Sequence, residues 1–269
     1  MDERKAFADC GHVVLKGFFS RSEIAALSAI VDRIHSQWVE STVDADRRQQ
    51  VNMHSLTSPA YFRDDARGRI DFFERIAPPS LTATMEEMFG GGLYFHNTQL
   101  FFNPSDRQQL PYWHRDLQYS QVEDALQASQ QDQLLNLHVR VPLVKEAGVE
   151  LVPGTHRRWD TALESSVRFE RNGHRNSEDL PGARLIALDP GDILIFDAQM
   201  IHRGNYRLNE TRKAFDICVG KPHPFSVQYL DASVLPDEQE IERIANNDWY
   251  RRARELALAN SASKSARTD

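Results

Sequence analysis

Ten histidines are spread along the 269 residues, and only His114 stands two residues before an acid, in His114-Arg115-Asp116. With ten histidines and 39 acids, about 1.4 such triplets are expected by chance, so the spacing alone carries little. A single histidine is also more often a surface or hydrogen-bonded core residue than a ligand. Geometry gives the triplet its weight. On an extended strand, residues i and i+2 point to the same side, about 6 to 7 Å apart at the backbone, so one imidazole and one carboxylate can chelate one ion. A third ligand would complete a face. His202 is the best placed, because Gly191-Asp192-Ile193-Leu194-Ile195-Phe196 reads as a turn into an apolar strand and Met200-Ile201-His202 as a second one. Two histidines and one carboxylate, with three positions left open, form the facial set that suits Fe(II). Structural zinc sites are closed and rich in cysteine, whereas a catalytic zinc with two histidines and one acid stays open as an alternative.

Ten residues beyond His202 lies Arg212, in Thr211-Arg212-Lys213-Ala214-Phe215 at the start of another apolar run. An arginine entering a buried strand needs a partner, since an unpaired interior charge costs several kcal/mol. A bound carboxylate would supply one in bidentate geometry, and an exposed strand-end arginine is the plainer alternative. Polar side chains also interrupt two apolar runs. Phe95, Asn97, Gln99 and Phe101 share one face of Leu93–Phe102, and Asn136, His138 and Arg140 share one face of Leu134–Leu143, as though the interior holds something polar.

These residues need a frame. The stretch from Leu93 to about residue 220 reads as short β runs separated by turn signals: 93–102, 134–143, 149–152, 184–188, 193–196, 200–202 and 214–219. Such spacing predicts a sandwich or jelly roll. Residues 1–92 read as a mostly helical flank. His12 to Phe19 is a strand-like run, Ser20-Arg21-Ser22-Glu23 is a capping box ahead of an apolar stripe that predicts a helix over 21–38, and Pro78-Pro79-Ser80 opens a helix that stops at Gly90-Gly91-Gly92. Residues 237–258 return to helical patterning, and 259–269 read as a frayed, disordered tail. With no repeat and no linker, residues 1–269 are expected to form a single domain.

Composition excludes several function classes. Thirty-two Lys+Arg against 39 Asp+Glu give a net charge of −7, so no general basic field would draw nucleic acid or anionic lipid. No apolar run approaches the roughly 18 residues of a membrane span. Only two cysteines are present, which argues against a disulfide framework or a cysteine-rich zinc site. The N-terminus lacks the pattern of a signal peptide. A cytoplasmic protein with a small-molecule substrate, no nucleic-acid partner and no membrane association is expected, its oligomeric state left open.

Taken together, the sequence resembles the phytanoyl-CoA dioxygenase-like (PhyH) family of Fe(II)/2-oxoglutarate-dependent oxygenases over nearly its whole length. The resemblance rests on residues 7–19, on Trp113-His114-Arg115-Asp116 with Tyr119 nearby, on Val152-Pro153-Gly154-Thr155-His156-Arg157, and on Gly191-Asp192 running into His202-Arg203-Gly204-Asn205. It implies a mainly β fold with flanking helices, a double-stranded β-helix (jelly-roll, cupin-like) barrel. It implies that His114, Asp116 and His202 bind Fe(II), and that Arg212 holds the distal carboxylate of 2-oxoglutarate, preferred over Arg207 and Lys213 because it sits where the strand resumes. Gln99 and Asn136 are expected near the cosubstrate, Arg140 near the substrate, and His156 at an architectural turn. The implied reaction consumes O2 and 2-oxoglutarate, releases succinate and CO2, uses ascorbate as reductant in vitro, and hydroxylates an unactivated C–H.

Desaturation, epimerisation and cyclisation use the same residues and are alternatives, as is a catalytically silent metabolite-binding barrel. A halogenase of this family would lack the carboxylate ligand, and Asp116 is present. Residues 153–181 have little strand character and carry Arg157 and Arg158. They are expected to close as a lid over the site, the two arginines favouring an anionic substrate together with Arg115 and Arg140.

Overall fold

The structure, a computed structural model, describes residues 2–42 and 50–265. Its frame is two antiparallel sheets. The larger has six strands in the order β1-β7-β4-β9-β3-β2 and the smaller has three, β6-β5-β8. The strands are β1 (His12–Leu15), β2 (Asn52–His54), β3 (Tyr94–Phe102), β4 (Asn136–Pro142), β5 (Glu146–Leu151), β6 (Arg184–Leu188), β7 (Ile193–Asp197), β8 (His202–Gly204) and β9 (Lys213–Gly220). Every β run read from the sequence is present, with ends moved by at most three residues except at the first, which stops at Leu15 instead of Phe19.

Helices flank the sheets: α1 (Glu3–Cys10), α2 (Arg21–Ser41), α3 (Ala66–Ile76), α4 (Pro79–Phe89), α5 (Asp124–Ser129), α6 (Ala162–Arg168), α7 (Pro224–Val227), α8 (Glu238–Arg243) and α9 (Asp248–Ser265). Among the described residues helix exceeds strand, so the expectation of a mainly β chain fits the sheets that carry the site and not the chain as a whole. The predicted capping box forms at α2, where Ser20 N donates to Glu23 Oε2 at 2.7 Å and Glu23 N donates to Ser20 Oγ at 3.3 Å. That helix buries Ile24, Leu27, Val31 and Ile34, the stripe read from its sequence. Each such side chain contributes roughly 1.5 to 3 kcal/mol when fully buried.

Apolar side chains pack in three layers. The largest cluster joins the outer face of the six-stranded sheet to the helices, with Val139, Ile195, Ile217 and Phe215 against Leu27, Phe73 and Tyr250. A second cluster, Val149, Leu151, Leu188, Leu194, Phe196 and Met200, joins the two sheets. The third, Trp113, Val152, Val167, Leu180 and Ile201, lies beneath the stretch that carries His114.

Three expectations are corrected. The helix expected over 237–258 is two helices, α8 and α9, because the Asn247 amide donates to the carbonyls of Ile241 and Ile244 and so caps α8 before the chain restarts. The expected tail is helical through Ser265, and 266–269 lie outside the described residues. Residues 153–181 do not form an open loop. They include α6, bury Thr155, Glu164, Val167, Arg168 and Leu180, and are tied to the 113–118 stretch by Trp113 Nε1–H donating to Glu178 O at 2.7 Å and Arg168 Nε–H donating to Gln118 Oε1 at 3.1 Å. Among the described residues no helix is long and apolar enough to cross a membrane.

Candidate functional site

Residues far apart in sequence meet through the backbone. His114 N donates to His202 O and His202 N donates to His114 O, both at 2.9 Å, an isolated antiparallel bridge that sets the two side chains beside each other with ring centroids 4.2 Å apart. The strand expected through Asp116 stops short. Asp116 opens a 3-10 turn (Asp116–Tyr119), held by its N–H to Ala198 O at 3.1 Å, and that turn brings its carboxylate over the bridge. His114, Asp116 and His202 then each present one ligand atom, all within 4.8 Å of one another.

The tautomers suit metal binding. Nδ1 of His114 lies 3.2 Å from Tyr112 O, and Nδ1 of His202 lies 2.9 Å from Met200 O. A carbonyl oxygen only accepts, so each Nδ1 carries the proton and each Nε2 turns its lone pair toward Asp116 Oδ1, at 3.8 and 3.3 Å. Burial, with the neighbouring His202, lowers the His114 pKa to about 3, which keeps the ring neutral as a ligand must be. Asp116 is held well below the usual carboxylate range: burial pushes it up, but the His138 cation bonded to Oδ2 outweighs that.

A buried chain of charges runs from Asp116 along β4 and β9 to β5. His138 on β4 places Nε2 at 2.7 Å from Asp116 Oδ2 and Nδ1 at 2.9 Å from Asp216 Oδ2 on β9. Both partners are acceptors, so both ring nitrogens carry protons. Burial works against that cation, yet Cys218 and the two carboxylates raise its pKa well above the ordinary histidine value. Asp216 Oδ1 accepts from Arg140 at 2.9 Å, Arg140 donates to both oxygens of Glu146 at 2.8 and 2.6 Å, and Glu146 Oε1 accepts from Arg212 Nε at 2.8 Å. Arg212, Glu146, Arg140, Asp216, His138 and Asp116 thus alternate in sign along one hydrogen-bonded line.

Two cavities adjoin at Asp116 and His138. The larger, about 440 Å³, is lined by His114, His202, Arg140, Arg212 and Gln99 among others. The smaller, about 280 Å³, is lined by Gln99, Asn136, Gln199, Cys218 and Tyr229 among others, and shares Asp116, His138, Gln99 and Tyr119 with the first.

Arg212 is only 3% exposed, and among the described residues its Nε is its one nitrogen bonded to protein, which leaves both terminal nitrogens for an anion in the larger cavity. They lie so close to Gly204 that a Cβ there would meet them at 2.7 and 2.9 Å, so glycine is what admits the guanidinium. Arg207 is exposed beside a different depression, and Lys213 pairs with Asp32 at 2.8 Å. A two-histidine, one-carboxylate donor set beside a guanidinium with free terminal nitrogens fits Fe(II) and a dicarboxylate such as 2-oxoglutarate.

The other expected residues divide. Gln99 lines both cavities, helped by a bulge at the Phe95/Asn97 step of β3 that turns His96 inward and sends Asn97 to Ser55 Oγ at 3.2 Å. Asn136 lines only the smaller cavity and not the one that holds Arg212. Arg140 lines the larger cavity with its nitrogens committed to Glu146 and Asp216. The arginines expected to meet an anionic substrate do not converge. Arg157 donates to Ala8 O at 3.1 Å, Arg158 forms a two-point pair with Glu164 at 2.6 and 2.7 Å, and Arg115 points away from Asp116 to the buried Asp160 at 2.8 Å. None of the three lines either cavity. His156 packs on α1, its Nε2 at 3.2 Å from Ala8 O, in keeping with an architectural turn.

Glu146 and Asp216 were missed from sequence, Glu146 because the 149–152 run starts three residues after it. A charge count over the apolar runs would have found both: Arg140 and Arg212 each need an acid, and these two stand in or beside the runs.

The phytanoyl-CoA dioxygenase (PhyH) family model matches residues 7–214. An ectoine dioxygenase of Sphingopyxis alaskensis is 24% identical over 223 residues, 74% of this chain and 68% of that protein. Two solved structures share the fold. EctD from S. alaskensis with 2-oxoglutarate and 5-hydroxyectoine superposes with a TM-score of 0.57 at 18% identity, covering 81% of this chain and 74% of that one. The non-heme alpha-ketoglutarate-dependent epimerase SnoN from nogalamycin biosynthesis gives 0.56 at 19% identity, covering 85% of each.

Proposed function

Because the chain belongs to the phytanoyl-CoA dioxygenase (PhyH) family of Fe(II)/2-oxoglutarate-dependent oxygenases, we propose that it hydroxylates an unactivated C–H bond of a small molecule, converting 2-oxoglutarate to succinate and CO2. The observation that carries this reading is the convergence of His114, Asp116 and His202 in the cavity that also holds Arg212. When bound, iron and 2-oxoglutarate supply the O2 activation and the oxidative power. The chain supplies position. His114 and His202 offer neutral Nε2 ligands, Asp116 offers Oδ1 while His138 occupies Oδ2, and Arg212 would take the distal carboxylate through its free terminal nitrogens, with Gln99 beside it. We take the two sheets to be the halves of a double-stranded β-helix barrel whose interior holds both cavities.

Epimerisation, which SnoN performs on the same fold, is the second reading, and desaturation or cyclisation would draw on the same residues. The intact set of ligands and arginine disfavours a silent binding barrel. The test is metal and cosubstrate dependence. Protein prepared under chelator should release no succinate, Fe(II) with ascorbate should restore release in the presence of substrate, and His114→Ala or Asp116→Ala should abolish metal binding and turnover together. Full activity with zinc alone would refute the assignment, and the product's mass separates hydroxylation from epimerisation.

A further inference from the structure

The smaller cavity is chemically unlike its neighbour. The larger holds two arginines, whereas among the described residues lining the smaller there is no lysine, arginine or glutamate. Its charge-bearing members are Asp116 and His138, already paired with each other, and His96, whose pKa burial lowers. Its remaining polar groups are neutral and underused. Among the described residues the Asn136 side-chain amide has no protein partner. Among the same residues Gln199, 2% exposed, has its Nε2 buried without one, and Gln99 is met only by Asn52 at 3.5 Å. Tyr229 and Tyr119, exposed at 45% and 63%, stand at the rim. A carboxylate or phosphate moved from water into such a space would lose its solvation and find no unpaired cationic side chain to replace it, whereas hydroxyl and amide groups would find partners for the three side-chain amides.

Resting on the reading that 2-oxoglutarate occupies the larger cavity, we propose that the smaller one receives the substrate, and that the part of the substrate entering it is uncharged and carries hydroxyl or amide groups. Substrates with a carboxylate or phosphate beside the oxidised carbon are excluded. At about 280 Å³ the space lies at the small end of ligand pockets, so it holds one ring-sized fragment, with any anionic remainder of the molecule left outside.

Cys218 lines this cavity, and Cys10, the other cysteine, does not, which gives a direct readout. Protein loaded with Mn(II) and 2-oxoglutarate would be alkylated with iodoacetamide or with iodoacetate, two reagents of equal size that differ in charge, and each cysteine followed by peptide mass spectrometry. The neutral-to-anionic rate ratio should be at least about tenfold larger at Cys218 than at Cys10, and Asn136→Lys should bring the two ratios together. Equal ratios in the unmodified protein would overturn the proposal, whatever the variant does. So would failure of iodoacetamide to reach Cys218, since a cavity closed to a small neutral reagent is closed to substrate. Calorimetry of 2-oxoglutarate binding to the Mn(II) protein, run alongside, tests the cosubstrate reading by itself: loss of that binding with the Cys218 ratio intact would remove the cosubstrate assignment and leave the cavity's neutrality standing.

Discussion

Glu146 is the residue on which the larger cavity depends most, and Glu146→Gln is the most informative change to make. Its carboxylate is 1% exposed and accepts three charge-assisted bonds, two from Arg140 and one from Arg212. The amide keeps the shape, removes the charge and turns a donor toward a guanidinium. Removing one partner of a buried pair costs about 3 to 5 kcal/mol. Protonation leads to a similar figure. Burial raises the Glu146 pKa, but Arg140 and Arg212 more than offset it and bring it from 4.5 to about 2, which at about 1.4 kcal/mol per tenfold change in proton affinity is about 3 kcal/mol. For a chain of this length that is a fall in Tm of about 6 to 12 °C. The folded pKa is depressed, so the contribution is fully present above pH 4.5 and is lost as pH falls toward 2. Urea unfolding at pH 7 should therefore separate variant from parent by about 3 kcal/mol, and the gap should narrow steadily below pH 4.5. With Glu146 neutral, Arg212 is left uncompensated, so 2-oxoglutarate should raise the Tm of the variant by more than it raises the parent's. A Tm change under about 2 °C, or a gap that does not depend on acid, would refute the reasoning.

Arg212→Ala should raise the apparent KM for 2-oxoglutarate by at least about a hundredfold, since it deletes a buried charge-assisted contact; an unchanged KM measured by succinate release would move that role to another residue. Proteolytic nicking within 157–180 should be the same with and without Fe(II), 2-oxoglutarate and substrate, because Arg168 and Leu180 are already packed beneath the His114 stretch; strong protection on adding ligands would restore the idea of a lid. Arg157→Ala should leave the substrate KM unchanged within about twofold, as its side chain bonds to the α1 end and lines neither cavity.

How far the sequence could be read follows from which interactions are local. The capping box at Ser20, the presence of the strand runs and the i, i+2 alternation of Asn136, His138 and Arg140 depend on neighbours in the chain, and the structure shows them, with strand ends shifted. His114 and His202 could be paired in advance because a metal demands three ligands, so chemistry stood in for the missing contact information. The arginines failed for the opposite reason. Arg115, Arg140, Arg157, Arg158 and Arg212 look alike in sequence, each a cation near a β run, and only the position of an acid tells them apart: Asp160 for Arg115, Glu164 for Arg158, Glu146 and Asp216 for Arg140. Arg212 differs from the rest in meeting its acid through Nε alone. An arginine bonded along its side keeps its terminal fork for a ligand, whereas one bonded through the fork is structural. That distinction is set by the approach of β5 to β9, two strands in different sheets, and no pattern within either strand encodes it. The same separation makes the two cavities unlike each other. Of the cations that sequence spread over the whole site, Arg140 and Arg212 are gathered by Glu146 and Asp216 on one side, Arg115, Arg157 and Arg158 are bonded away from both cavities, and the space beyond His138 is left with amides and hydroxyls.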